Sequence, residues 1–121
     1  METGTILDMD AIDLYNTLED NFSYKMPEDL DSIDGLSKAN KLISELLNAY
    51  AFVSSMAAMA SVYKRTYKNG STKKEYEEMV DKEKILKSKA DVLDKFYAGL
   101  SRQITIKQMI NKELEMGEHK W

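Results

Sequence analysis

The chain has 121 residues, of which 43% are hydrophobic and 31% charged, with five Gly, one Pro and no Cys. This composition fits one globular domain and excludes a loop-rich β-sandwich, a collagen-like repeat, a disulfide scaffold and a thiolate metal site. The net charge of −4 is divided unevenly, because residues 1–40 hold ten acidic and two basic side chains, whereas residues 61–121 hold ten acidic and fourteen basic ones.

The N-terminal part of the chain is predicted to be an acidic arm. Residues 1–7 show no periodicity and are expected to be frayed. Apolar side chains recur at helical spacing over residues 8–21, which predicts a short amphipathic helix with Asp8 or Asp10 as its cap. The stretch 22–35 contains the proline, a closing glycine and several acids, and predicts a connector with room for one helical turn.

A long helix is predicted over residues 36–68. Its apolar residues alternate at spacings of three and four, which is the heptad pattern of helices that pack along a seam. Further apolar residues widen this face beyond what one neighbouring helix can cover. We therefore expect self-association through the seam, as a dimeric bundle or a ring. The expected interface residues are Leu36, Ile43, Leu46, Tyr50, Val53, Ala57 and Ala60.

A second long helix is predicted over residues 72–115. Gly70 is expected to end the first helix at the C′ position, and Thr72, followed by Glu three residues later, forms a capping box for the second. Because the first helix ends only a few residues before the second begins, the two are predicted to form an antiparallel hairpin. Gly99 weakens helix propensity, so the second helix is expected either to continue or to bend there, and Gly117 is expected to end it. Its seam consists of Met79, Leu86, Leu93 and Leu100, with Ala90, Tyr97 and Ile104 beside it.

These elements predict an all-α protein with three parts. They are the acidic arm (residues 1–35), a helical hairpin domain (residues 36–117) and a short tail (residues 118–121). No apolar run approaches the length that spans a bilayer, so no membrane partner is expected.

Basic side chains cluster at two places on the hairpin, a tip and a ridge. Both can neutralise a phosphate backbone, and Tyr63, Tyr67 and Tyr76 flank the tip, where they can stack on unpaired bases. The alternative is a solvated charged surface of the kind that any soluble hairpin needs. The tip residues are Lys64, Arg65, Lys68, Lys73 and Lys74, and the ridge residues are Lys84, Lys87, Lys95, Arg102, Lys107 and Lys112.

Catalysis is not expected, because the chain has one His, no Cys and no glycine-rich loop. His119 lacks a partner at metal-ligand spacing, so neither a metal site nor a cofactor is predicted. The acidic pairs Glu77–Glu78 and Asp91–Asp94 are common on charged helices and do not mark an acid–base site.

The hairpin resembles a family of small phage proteins. The resemblance covers about residues 36–115 and includes the apolar first helix, the basic turn and the segment KSKADVLDKFYAGLSRQITIK at residues 87–107. In these features the chain is similar to the UvsY-like recombination mediators of tailed phages. The resemblance implies a helical oligomer in the host cytoplasm that binds single-stranded DNA. It also implies help in loading a recombinase onto strands covered by single-strand-binding protein.

Two functions follow as expectations. The first is non-catalytic binding of single-stranded DNA in phage recombination or replication. The second is a protein-binding module, either a virion or assembly adaptor or an inhibitor of a host defence or replication protein, which the net acidity favours. The acidic arm is expected either to fold back over basic surface as a mimic of nucleic acid or to pack as part of the structure.

Overall fold

The computed structural model describes the backbone of residues 3–70 and 72–119 and the side chains of residues 6–67 and 72–114. All regular structure in these ranges is helical, which confirms the all-α prediction. The longest two helices pack against each other as the predicted hairpin. The helices are α1 (Thr3–Asp8), α2 (Ala11–Asn21), α3 (Ile33–Gly70) and α4 (Lys73–His119).

The arm lies along α4 for most of the length of the hairpin. Its contacts to α4 follow one another from the tip of the hairpin, where the chain turns from α3 into α4, to the open end, where α3 begins. The end of α1 reaches Lys82, the end of α2 reaches Lys89, and the extended stretch 22–32 reaches Lys107. The arm therefore runs parallel to α4 and fills one of the two grooves between α3 and α4.

Three helices begin at a side-chain cap. In each case a side-chain oxygen accepts a hydrogen bond from the backbone N–H three residues later, at Asp10 (2.8 Å), Ser32 (2.9 Å) and Thr72 (3.2 Å). Such caps satisfy N–H groups that have no partner inside the helix. The predicted caps at Asp10 and Thr72 are confirmed. The cap at Ser32 was not predicted, and it makes α3 begin three residues before the expected start.

The heptad seams of the two long helices form the core of the single chain. Leu46, Val53 and Ala60 of α3 are fully buried. The seam of α4 is buried as well, from Met79 to Ile104, except that Tyr97 is partly buried. Of the expected interface residues, Ala57 is also buried, Leu36 and Ile43 are partly buried, and Tyr50 is exposed. The seam thus packs mainly inside the chain. Self-association stays a prediction, and any interface must use exposed side chains.

Several predicted helix ends differ from the structure. Residues expected to be frayed form α1, because Ile6 and Leu7 are buried against the hairpin. The first long helix ends at Gly70, so the predicted stop there is correct to within one residue, whereas the second continues past Gly117 to His119. Glycine inside a helix costs only about 1 kcal/mol relative to alanine, so one glycine need not end a helix. At Gly99, α4 is continuous.

By length and composition α3 could cross a membrane. The stretch Ile33–Tyr67 contains a window with a mean hydropathy of 1.3, of which 28% is buried inside the structure. This differs from the expectation that no segment is long and apolar enough. The core helix of a soluble protein can satisfy the same criterion, and the seam of α3 packs on α4.

Candidate functional site

The tip of the hairpin carries the first group of predicted nucleic-acid-binding residues. Two of its cations are ion-paired with carboxylates of α4: Lys64 with Glu83 at 3.0 Å, and Lys73 with Glu77 at 3.8 Å. The side chain of Lys68 lies outside the described residues. Part of the positive charge expected at the tip is therefore neutralised by the protein itself.

The other side chains of the tip are more open. Arg65 and Lys74 are exposed, and neither forms an ion pair with a described residue. Tyr63 and Tyr67 stack on each other, with ring centroids 6.5 Å apart and an interplanar angle of 23°. Tyr63 is exposed, and Tyr67 and Tyr76 are partly buried. The tyrosines are thus close to the tip as predicted, but two of them are partly covered by protein.

A cleft of about 510 Å³ separates the tip from the start of the arm. Lys74 and Lys82 contribute positive charge to its walls. Because the arm folds back onto the tip, acidic side chains from both sides also line the cleft, so the expected uniformly positive tip has mixed charge. These acids are Asp8, Asp10, Glu75 and Glu78.

The predicted ridge on α4 is also partly neutralised. Lys87 pairs with Glu83 at 3.4 Å, and Lys95 pairs with Asp91 at 2.9 Å. Both pairs join residues four apart on one helix, a spacing at which side chains are neighbours. The Lys95–Asp91 pair is exposed and contributes about 0.3–0.5 kcal/mol, so a phosphate could still compete for Lys95.

The remaining ridge residues do not form one continuous surface. Lys107 faces the arm and pairs with Asp31, away from the side of α4 that carries Arg102. Lys84, Arg102 and Lys112 are exposed and form no ion pair with described residues. They span 28 residues of helix, which is about 42 Å at 1.5 Å per residue. The ridge is thus a sparse row of cations.

Three polar side chains of α4 that the sequence reasoning missed hold the arm in place. They lie at spacings of four and seven, which puts them on the face of α4 that meets the arm. Lys82 and Lys89 are buried, although charged side chains are normally exposed. The contacts are Glu78 Oε1 accepting from Ala11 N (3.1 Å), Lys82 Nζ donating to Leu7 O (2.8 Å), and Lys89 Nζ donating to Glu19 Oε1 (3.1 Å).

Two of these contacts lie at ends of the arm helices. Glu78 accepts a hydrogen bond from the first residue of α2, where backbone N–H groups have no partner within the helix. Lys82 donates to a carbonyl in the last turn of α1, where backbone oxygens lack partners. An anion at the start of a helix and a cation at its end are both favoured by the helix dipole.

Glu83 lies at the centre of a charge cluster that joins α3 to α4. Its side chain is buried, and Lys64 and Lys87 pair with the same oxygen, Oε1. The hydrogen bond from Lys64 holds the pKa of Glu83 below its usual range, and the nearby Lys87 acts in the same direction, although burial acts in the opposite direction. A carboxylate held in its charged form by lysines suits a structural role better than proton transfer.

The outer face of α3 is exposed but carries no charge. We define this face by its exposed residues Leu47, Ala51, Ser55, Ala58 and Val62. No charged residue occurs between Glu45 and Lys64, a stretch of 18 residues. Leu47 is 47% exposed and Val62 59% exposed. The exposed side of α4, in contrast, carries lysines and carboxylates along its length, as a solvated helix normally does.

The acidic side chains of the described residues show no arrangement that could bind a metal ion. No group of three or more His, Asp or Glu side chains there is placed to hold a metal ion. Of the acidic pairs, Glu78 holds the start of α2 and Asp91 pairs with Lys95. The side chain of His119 lies outside the described residues.

Comparison of the chain with protein-family models, curated proteins and solved structures finds no match. The resemblance to UvsY-like mediators therefore stays a prediction.

Proposed function

We propose that the chain is a non-catalytic protein-binding module that docks a partner on the outer face of α3. The observation that carries this proposal is the exposure of an uncharged helix face over residues 46–63. Contiguous exposed apolar surface on a soluble protein is typical of an interaction site. Burying this face against another protein removes Leu47 and Val62 from water without leaving a charge unpaired.

The charge distribution favours a protein partner over a nucleic acid. A chain that binds DNA strongly normally presents a concentrated positive surface. Here the net charge is −4, and the tip and ridge lysines Lys64, Lys87, Lys95 and Lys107 are paired with carboxylates of the same chain.

Binding of single-stranded DNA is the second candidate. In its favour, the sequence from Lys95 to Lys112 contains no acid, and Arg102 and Lys112 are exposed. A flexible single strand could follow such a sparse row of cations, with its affinity falling steeply between about 50 and 200 mM salt. In this candidate the protein would assist phage recombination or replication.

Photo-crosslinking in cells tests the proposal. A photoreactive amino acid is placed at Ala58, on the outer face of α3, and in a matched variant at Ile12, which is exposed on α2. We expect the Ala58 position to form covalent adducts with a protein, either another copy of the chain or a different protein. The adducts should persist after nuclease treatment and be absent at Ile12.

Two results would contradict the proposal. One is the lack of any protein adduct at Ala58, and the other is equal adduct formation at Ile12. If crosslinks go to nucleic acid from a photoreactive residue at Thr105, which is exposed beside Arg102, the second candidate is supported instead.

A further inference from the structure

We infer that the partner of the outer face of α3 is a second copy of this chain, with the two α3 helices antiparallel about a two-fold axis. This inference rests on the proposed function and names its partner. It starts from the order of side chains along the face, because a two-fold interface must be complementary to itself.

The outer face is nearly symmetric about the point between Ser54 and Ser55. Ala51 and Ala58 lie at equal distances on either side of this point, and so do Leu47 and Val62. An antiparallel pair of helices centred there puts Ala51 opposite the partner's Ala58, and Leu47 opposite the partner's Val62. Each position thus meets a side chain of matching size and polarity.

This arrangement packs well as two helices. Alanine at the centre lets the helix axes approach to about 8 Å, the short end of the usual range. The larger Leu47 and Val62 fill the space on both sides of the centre. Because all five residues of the face are exposed in the single chain, no rearrangement of the hairpin is needed for them to meet a partner.

Charge gives a second argument for a second copy. The surface opposite the face must itself lack charge, since burying an unpaired charge is costly. Another copy of the same face meets this requirement over residues 46–63. At each end of the contact, exposed Arg65 comes next to the partner's Ser44, which gives the apolar contact a polar rim of the usual kind.

The size of the contact sets the expected strength of the dimer. From Leu47 to Val62 is 15 residues, which is about 23 Å of helix. One helix pair of that length belongs to the small class of protein interfaces. We therefore expect a dissociation constant in the micromolar range and an equilibrium between monomer and dimer.

A charge exchange on purified protein tests both the partner and its orientation. Leu47→Glu and Val62→Lys should each raise the dissociation constant by at least about 30-fold, because the unpaired charge enters a two-fold interface twice. The double variant should recover most of the affinity, since the two new charges oppose each other across the dimer. Within one chain the two positions are about 23 Å apart and cannot pair. Sedimentation equilibrium measures the constants, with Ile12→Glu as the control.

Cysteine crosslinking gives an independent readout of the orientation. The chain has no Cys, so single cysteines report without background. Chains with Ala51→Cys should crosslink readily to chains with Ala58→Cys. Crosslinks between two identical variants should be rarer, since identical positions are offset by seven residues, or about 10 Å, along the antiparallel pair.

Several outcomes would overturn the inference. A wild-type protein that stays monomeric at high micromolar concentration has no such dimer. A double variant that dimerises no more tightly than the single ones, or crosslinks mainly between identical positions, rules out the antiparallel pairing.

Two further outcomes would assign the face to another partner. Binding of the monomer to phosphatidylcholine vesicles, lost in Leu47→Glu, would assign the face to a membrane. Adducts in cells with a different protein would overturn the second copy as partner and leave the proposed function standing.

Discussion

Glu83 shows how one buried carboxylate connects two helices at a defined register. The sequence alone predicts its pair with Lys87, because the two residues are four apart on a helix. The pair with Lys64 could not be predicted, since a heptad seam does not specify which residue across the hairpin lies opposite. The structure supplies this contact at 3.0 Å and thereby aligns α3 with α4 near the tip.

Replacing Glu83 by Gln should destabilise the protein in a pH-dependent way. The pKa of Glu83 is lower in the folded protein than in the unfolded chain, because the carboxylate accepts a hydrogen bond from Lys64. The stabilisation is therefore complete above the unfolded pKa, near 4.5, and is lost as the pH falls through the lower folded value. At pH 7 we expect Glu83→Gln to lower the free energy of unfolding by about 1–2 kcal/mol.

Urea denaturation at pH 7 and at pH 3 measures this difference. The matched control is Glu77→Gln, which removes an exposed pair with Lys73 and should change the free energy of unfolding by less than about 0.5 kcal/mol. A loss for Glu83→Gln that is as large at pH 3 as at pH 7 would show that its charge is not what stabilises the fold.

At the scale of whole helices, the sequence predicted α3, α4 and their pairing as a hairpin, but not that the arm packs on the same core. A seam of buried residues has the same pattern whether it meets a helix of the same chain or of another. Here the seam of α3 packs on α4 and on the arm, so the expected oligomer interface is largely occupied within the chain. Helix α1 was missed because it has only six residues and is held by a distant residue, Lys82.

Two glycines in the long helices should respond oppositely to alanine. A Cβ at Gly35 would lie 1.9 Å from the backbone oxygen of Asp29, where no side-chain movement can relieve the clash. We expect Gly35→Ala to lower the free energy of unfolding by about 1–3 kcal/mol. A Cβ at Gly99 would lie 3.9 Å from Met26 Cε, an ordinary contact. There alanine should raise the free energy of unfolding by about 0.5–1 kcal/mol, through better helix propensity.

Chemical denaturation followed by circular dichroism measures both glycine variants under one set of conditions. The two variants serve as controls for each other, since each adds one methyl group to a long helix. A Gly35→Ala protein as stable as the wild type would mean that the stretch 22–32 does not pack on the start of α3.

At the scale of the whole molecule, the arm is the part whose role the sequence left most open. Its acidity predicted contact with basic surface, and the structure places Glu19 on Lys89 and Asp31 on Lys107. The structure also buries apolar side chains of the arm. The charge pattern alone could not predict whether these apolar side chains or the acidic ones determine how the arm packs. The buried apolar side chains are Ile6, Leu7, Leu14, Leu18 and Leu30. The charged ridge side of α4, with Arg102, stays uncovered.

Deleting residues 1–32 should therefore disrupt folding. The truncation uncovers the groove side of α4, including the buried ammonium groups of Lys82 and Lys89, and removes five buried apolar side chains. Fully burying one such side chain stabilises a protein by about 1.5–3 kcal/mol. Losing all of them therefore removes more stabilisation than the net free energy of unfolding of a small domain can offset. We expect the truncated chain to lose its cooperative thermal transition, as followed by circular dichroism at 222 nm.

Two point substitutions test whether the arm is a structural element or a mimic of nucleic acid, without removing its buried side chains. Glu19→Gln with Asp31→Asn frees Lys89 and Lys107 from their carboxylate partners and leaves the apolar contacts of the arm intact. If the arm is a structural element, affinity for a labelled single-stranded oligonucleotide at about 50 mM salt should change by less than about three-fold, since Lys89 stays buried under α2. Much tighter binding by this variant, or by a truncated chain that stays folded, would instead make the arm a mimic of nucleic acid that competes for the same lysines.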